Sequence, residues 1–332
     1  MKHKRLKLNT GIDIGSSSIK IVQLSGNADN PVLMNFDIVK VGEKTADGYV
    51  KELVRMAGKY SFKEANIAIS GPSVVVRYVE LPEMTEDEMK SSMRFEAEKH
   101  IPFDLNDVNI DCQIIEQASH GKMQVLLVAA KKIAISELVK MSQRAGLTLN
   151  IIDCDSFALI NAFLLTFPDL DTSANTALIH IGDNLTMINI LKGRYAAFTR
   201  ELEMGGIDID KAISEKLNLG LSEAAEFKEN PGDRYNELME MAKPILANMI
   251  EEVKLSLSFY ENQAGISVNK ILLSGGLSNL KGLTEIFAES FGVECSQWGP
   301  FRFLKADKDI EIQKLRDLKA ELPIAVGLAV RR

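Results

Sequence analysis

The chain has 332 residues, 46% of them hydrophobic and 26% charged, and a formal net charge of -7. These values suit two ordinary globular domains and exclude a disordered or membrane-dominated chain. The acidic balance argues against nucleic acid, which calls for a basic face. Cys112, Cys154 and Cys295 are too scattered for a zinc motif or disulfide framework, so a reducing, cytoplasmic compartment is expected.

The chain opens with a basic MKHKRLK, but the LNTGIDIG that follows breaks the apolar run a signal peptide needs. Lys2, Lys4, Arg5 and Lys7 read as a solvated terminus, with anionic lipid as the alternative ligand. Apolar runs are strand-sized throughout, so any membrane association is expected to come through a partner. GIDIGSSSIK (Gly11 to Lys20) then places an Asp at a strand end, a Gly and three hydroxyl residues in a turn, and a Lys on the next strand. That pattern is a phosphate cradle: backbone amides of Gly15, Ser16, Ser17 and Ser18 would bond phosphate oxygens. Lys20 would neutralise them, and Asp13 would hold Mg2+ through water. A plain Gly/Ser hairpin turn is the alternative.

Val50 to Lys59 reads as a helix and Ala65 to Ser70 as a strand. VVVRYVELP (Val74 to Pro82) is a strand, and Thr85-x-x-Glu88 is a capping box opening a helix with Met89, Met93 and Ala97 on one face, ending before Pro102. Strands near Val108 to Ile115 and Met123 to Lys131 follow, then a helix from about Ile133 to Gly146. In NIIDCDSFALINAF, Asp155 reads either as a helix N-cap or as a carboxylate orienting an attacking water.

In the second half, LIHIGDNLTMINILKG aligns ungapped with TGIDIGSSSIKIVQLSG, Ile179-His180-Ile181-Gly182 falling opposite Ile12-Asp13-Ile14-Gly15. Two such hairpins half a chain apart predict two similar domains facing each other. Gly205-Gly206 leads into a helix from Ile207 to Leu217, either as a plain junction or as a close backbone approach on the adenosine side. Glu226 and Lys228 read as an exposed helix face or as a ribose clasp. Pro244 is expected to open a long helix with Leu246, Met249, Val253, Leu257 and Tyr260 on one stripe. ILLSGGLSNLKGL (Ile271 to Leu283) runs a strand into Gly275-Gly276 and then Leu277 and Asn279, letting backbone approach a nucleotide. Leu322 to Val330 is a short apolar helix.

Taken in order, these motifs resemble the phosphate-one, phosphate-two and adenosine motifs of the actin/Hsp70/FtsA superfamily. LPEMTEDEM, FEAEKHIPFDLNDVNIDCQII, LLVAAKK, FTRELEMGGIDIDKAI and the ending LPIAVGLAVRR resemble, along nearly the whole chain, the PilM family of type IV pilus platform proteins. The resemblance implies an α/β actin-like ATPase fold of duplicated ribonuclease-H-like lobes with a small FtsA-type α+β insertion. The first lobe would be 1–173 with the insertion at about 74–150; the second would be 174–332, its C-terminal helix (about 322–332) packing back on the first. It further implies ATP and Mg2+ in the interlobe cleft, with Gly182, Asp183, Asn184 and Thr186 completing the phosphate site. The implied partner is the cytoplasmic N-terminal tail of the membrane protein PilN, in a groove beside Leu81 to Phe103. Pilus motor ATPases and the inner membrane, reached through partners, are further implied neighbours.

The chain departs from the family's Asp-Ile-Gly with His180-Ile181-Gly182, which removes a carboxylate from the metal's surroundings and leaves Asp183 as a substitute. Nucleotide binding with slow or absent turnover is therefore expected, rather than efficient hydrolysis. An FtsA-like polymerising membrane tether and a small-molecule kinase are the competing functions; the first lacks an appended amphipathic anchor, and the second lacks an acceptor-site signature.

Overall fold

The computed structural model describes residues 8–27, 30–118, 121–171, 174–302 and 304–331; Lys2, Lys4, Arg5 and Lys7 lie outside the described residues. β1 (Asn9–Ile14), β2 (Ser18–Gly26) and β3 (Pro31–Lys40) form an antiparallel meander. Helix α1 (Ala46–Tyr60), capped by the Thr45 side chain, then crosses to β4 (Glu64–Ile69), which runs parallel to β1.

Next, β5 (Val74–Pro82), α2 (Glu86–His100), β6 (Val108–Ala118) and β7 (Lys122–Lys131) build a separate antiparallel sheet of order β5-β7-β6. The expected capping box starts α2: Glu88 N–H donates to Thr85 Oγ1 at 3.3 Å, and Thr85 N–H donates to Glu88 Oε2 at 2.8 Å. Met89, Met93 and Ala97 then bury on one face of that sheet against Val79, Leu81, Val125 and Leu127. Helix α3 (Lys132–Arg144) and strand β8 (Thr148–Cys154) return to the first sheet. Although the sequence reading put them inside an insertion of about 74–150, β8 pairs in parallel with β4, and Leu138 and Met141 pack beside Leu53 and Met56 of α1.

Helix α4 (Asp155–Thr166) leads to the second hairpin, β9 (Asn175–Ile181) and β10 (Thr186–Lys192), followed by β11 (Tyr195–Leu202). Then come α5 (Gly206–Leu217), α6 (Leu221–Glu229), α7 (Tyr235–Ala264), β12 (Lys270–Ser274), α8 (Leu283–Phe291) and β13 (Glu294–Gln297). The short strand β14 (Lys305–Ala306) joins β3, and α9 (Ile312–Leu318) and α10 (Pro323–Val330) close the chain. Pro244 lies inside α7 rather than opening it. The helix runs through although a proline removes one backbone donor and crowds the carbonyl four residues back; burial of Leu246, Met249, Val253, Leu257 and Tyr260, as expected, offsets that cost.

The two large sheets repeat one topology. The order β3-β2-β1-β4-β8 in the first recurs as β11-β10-β9-β12-β13 in the second, with β14 added outside β3. Even the hairpin closures match: Gly15 N–H donates to Ser18 O at 3.0 Å, and Gly182 N–H to Leu185 O at 2.8 Å. Period-two alternation on the second sheet sends Ile179, Ile181, Ile188 and Ile190 outward under α5, α7 and α8. Leu178, Met187, Leu191 and Leu272 point the other way. They meet α4, α10 and the first sheet's Val22, Leu24 and Leu33 in a shared middle core. Helix α10 packs so closely that a Cβ on Gly327 would come within 1.7 Å of Ala158 O in α4.

Candidate functional site

The turns of the two hairpins meet in the cleft between the sheets. Ser16 Oγ donates to Asp183 Oδ2 at 3.4 Å, and the exposed Lys44 Nζ pairs with the same oxygen at 3.2 Å. Tyr49, from the first turns of α1, directs its hydroxyl to the carbonyls of Gly15 at 3.1 Å and Ser16 at 3.0 Å, fixing the first turn. Cross-strand pairing sets Asp13 opposite Lys20, their charges 3.2 Å apart, and both are withdrawn from solvent. Asp13 Oδ2 is buried without a partner in hydrogen-bond geometry.

Burial works against the charge of Lys20, but Asp13, Glu321 and Asp155 outweigh it and raise the lysine above its ordinary pKa. Asp155 occupies the first turn of α4, with Cys154 in the N-cap position and no side-chain cap bond, so the N-cap reading is corrected. Desolvation, then the neighbouring charge of Asp13, push its carboxyl up to about 7, while a Ser70 hydrogen bond and Lys20 pull the other way. His180 is 5% exposed, and its Nδ1 lies 3.0 Å from Ser274 Oγ. Burial, then the charge of Lys20, hold its pKa down to about 3, so the imidazole is neutral.

Several expected residues are engaged otherwise. The N–H of Gly15 closes its own hairpin and is not free for a ligand. Thr186 is fully buried and its hydroxyl donates to Met204 O at 2.9 Å, so it braces β10. The start of α5 is locked to the second turn: Gly206 N–H donates to Gly182 O and Ile207 N–H to Asp183 O, at 3.0 and 2.9 Å. A Cβ on Gly205 would stand 2.3 Å from Asp183 O, which explains a glycine at that junction. Leu277 belongs to the outer core of the second sheet. Asn279 is exposed, donating to Glu321 Oε1 at 3.2 Å and accepting from Gln297 Nε2 at 2.8 Å. Ser17, Ser18, Asn184, Gly275 and Gly276 lie in or beside these turns. Gly275, at φ +87°, crosses Ile181 O at a distance no side chain would allow. Lys228 is turned inward instead of lying on an exposed face, its Nζ 2.7 Å from Asp210 Oδ1 and 2.9 Å from Gly206 O; Glu226 alone of that pair is exposed.

Lys44, Tyr49, Glu201 and Glu321 join the cleft without having been expected. Glu201, half-buried on β11, accepts from Gly71 N–H at 2.7 Å, and burial raises its carboxyl pKa despite that bond. Glu321 is likewise raised, by burial first, with Lys20 opposing. Lys44 and Tyr49 follow the first motif too loosely for any spacing rule to mark them, and the two glutamates arrive from elements far along the chain. Among the described residues no cluster of three or more His, Cys, Asp and Glu is placed to hold a metal ion, and no helix is long and apolar enough to cross a membrane.

A duplicated α/β core, an inserted sheet and a polar interlobe cleft define a protein of the actin-like ATPase fold. The chain belongs to the family of type IV pilus assembly protein PilM, which matches residues 11–332. It is similar to a solved PilM-PilN type IV pilus biogenesis complex at a TM-score of 0.87 and 26% identity, over 97% of this chain and 98% of that one. Ethanolamine utilization protein EutJ from Carboxydothermus hydrogenoformans shares the fold at a TM-score of 0.59 and 14% identity, over 98% and 89% of the two chains. Cell division protein FtsA of Enterococcus hirae is 21% identical over 351 residues, spanning 87% of this chain and 78% of that protein.

Proposed function

We propose that this chain is an ATP-binding scaffold of the type IV pilus assembly platform that holds the cytoplasmic N-terminal tail of PilN. The observation that carries this reading is the likeness to the PilM-PilN complex over nearly the full length of both chains. The donor set of the cleft fits a nucleotide. Lys20, Lys44 and the Ser16 hydroxyl converge between the hairpin turns, and close-packed glycines leave backbone rather than side chain at the cleft wall. Bound ATP supplies a triphosphate charge that both lysines can neutralise. Asp13, whose Oδ2 is held 3.2 Å from Lys20 Nζ, is placed to take a water of Mg2+, an ion that retains most of its hydration shell.

His180 is a poor ligand for such an ion, being neutral and tied to Ser274. Asp155 can hold a proton near neutral pH, but its carboxylate form is disfavoured beside Asp13, which supports binding with slow turnover. For the PilN tail, the inserted sheet offers the face opposite α2 rather than the expected stretch Leu81 to Phe103, whose Leu81, Met89, Met93 and Ala97 are buried in the core between that sheet and α2. Val74, Val76, Leu126 and Val128 stand half-exposed there, and a cavity of about 270 Å³ opens between β5 and β11. In this reading PilN brings the protein to the inner membrane, beside the motor ATPases.

The test is calorimetric titration with a synthetic PilN N-terminal peptide from the same genome, with and without Mg-ATP. Saturable one-to-one binding is expected; absence of peptide binding in both conditions overturns the reading.

A further inference from the structure

The segment Ser70-Gly71-Pro72-Ser73 carries the chain from β4 of the first sheet into β5 of the inserted sheet. It touches both regions to which the proposed function gives a ligand. On one side Ser70 neighbours Asp155 and lowers its pKa, at the cleft wall beside Asp13 and Lys20. On the other, Gly71, Pro72 and Val74 line the cavity between β5 and β11, together with Glu201. Gly71 holds φ +77°, a left-handed conformation that an L side chain resists, so its N–H direction is built into the backbone. That N–H meets Glu201 Oε2 at 2.7 Å, across the interlobe boundary.

A second strut runs parallel to the first. Thr199 Oγ1 donates to Asn189 Oδ1 at 2.9 Å, which commits its single proton. Tyr78 OH, 2.9 Å away on β5, must therefore be the donor to Thr199. Inserted sheet and second lobe are thus joined through β11 at Glu201 and Thr199. Both bonds coexist here with the closed contacts of Ser16 and Lys44 to Asp183. Moving the second lobe away from the first would pull Glu201 from Gly71 and leave a half-buried carboxylate without its donor, a change whose cost ties one region to the other.

We propose that Glu201, through the Gly71 N–H, couples nucleotide in the cleft to peptide at the inserted sheet, so that each ligand tightens the other. The inference rests on the scaffold reading above and specifies its regulation. A ligand shifts an equilibrium only by its differential affinity for the two states, and the coupling must be reciprocal. Glu201 is a positioning residue, so the readout is a ratio of affinities rather than either affinity alone.

The experiment measures peptide affinity by calorimetry with and without Mg-ATP, and ATP affinity with and without peptide, for wild type, Glu201→Ala, Glu201→Gln and Tyr78→Phe. Wild type is expected to bind peptide about five-fold or more tightly with ATP, and ATP more tightly with peptide by the same factor. Glu201→Ala should bring both ratios close to one while ATP still binds. Glu201→Gln keeps an acceptor for Gly71 and should retain most of the ratio. Tyr78→Phe, a mild change that decides the matter if Glu201→Ala does not fold, should reduce it part-way. Equal ratios in wild type and both disruptive variants overturn the coupling role alone, as does a wild-type ratio of one. Failure of wild type to bind peptide at all overturns the scaffold reading beneath it.

Discussion

Ser16 and Asp183 hydrogen-bond across the cleft at 3.4 Å and are separated by 167 residues, the same offset that superposes the two hairpins. They are equivalent positions of the duplication. Equivalent residues can touch only near the axis that relates their halves, so this contact places the pseudo-twofold axis between the two turns. Chemistry breaks the symmetry at that axis. The first copy pairs Asp13 with Lys20 across the hairpin, whereas the second pairs His180 with Met187. At this cross-strand position the first copy supplies an ion pair and the second an uncharged pair, while the second copy's charge in the cleft comes from its turn residue Asp183.

Replacing Lys20 by Met, the residue at its equivalent position 187, tests this division. The variant removes the buried ammonium while keeping the length of the side chain. A charge-assisted contact of about 1.5–3 kcal/mol predicts ATP affinity lower by on the order of 10- to 100-fold. Titration with a fluorescent ATP analogue measures it; unchanged affinity would place the phosphates elsewhere. The apo fold should persist, although Asp13 then lacks its partner and some loss of melting temperature is expected.

Asp155 predicts a pH dependence. Its folded pKa of about 7 stands above the ordinary 3.8, so between those values the folded state holds a proton that the unfolded state has released. Stability from this group is therefore present at low pH and lost as pH rises towards and past 7. Asp155→Asn cannot ionise and lacks that slope. In thermal melts of the apo protein, its melting temperature should match wild type near pH 5 and exceed it by pH 8. Parallel curves would mean that Asp155 is an ordinary carboxylate.

His180 acts with the opposite sign. Its folded pKa of about 3 lies below the ordinary 6.5, so the unfolded chain takes up a proton that the folded chain refuses. This contribution is present above pH 6.5 and is lost as pH falls towards 3. His180→Asn should be less stable than wild type at pH 7.5, having lost the imidazole contact with Ser274, and the gap should narrow by pH 5. Chemical denaturation at the two pH values, with ionic strength fixed, reads the difference. A gap independent of pH would mean that His180 takes up its proton in the fold as readily as in the unfolded chain.

Local chemistry explains what was legible beforehand. Gly-rich turns between period-two strands revealed both hairpins, and Thr85 with Glu88 marked the start of α2, because each signal is complete within a few residues. Strands β3 and β11 escaped notice: PVLMNFDIVK and YAAFTREL mix half-buried polar residues into the alternation. Pro244 misled because a helix-starting residue can also sit within a long, well-packed helix. The cleft was only partly readable. Lys20 and Asp13 lie on one hairpin, but Glu201 reaches Gly71 across 130 positions, a relationship that only the folded sheets create. Lys228 faced inward for the same reason, drawn to Asp210 on the neighbouring helix.

Two glycine substitutions should have opposite effects. On α1, Gly58 has no atom within 4 Å of a prospective Cβ, so Gly58→Ala adds only helix propensity and should stabilise by up to about 1 kcal/mol. On α10, the same change at Gly327 would set a methyl 1.7 Å from Ala158 O and 2.5 Å from its carbonyl carbon. Those atoms are backbone of α4 and cannot rotate away, so α10 must shift out of the core it shares with both sheets. Overpacking of this kind destabilises by about 1–3 kcal/mol, and the backbone clash puts Gly327→Ala at the upper end. Urea unfolding monitored through Trp298, which packs edge-on against Phe163 of α4 in that core, should show midpoints moving in opposite directions. A neutral Gly327→Ala would mean that α10 is docked more loosely than its packing implies.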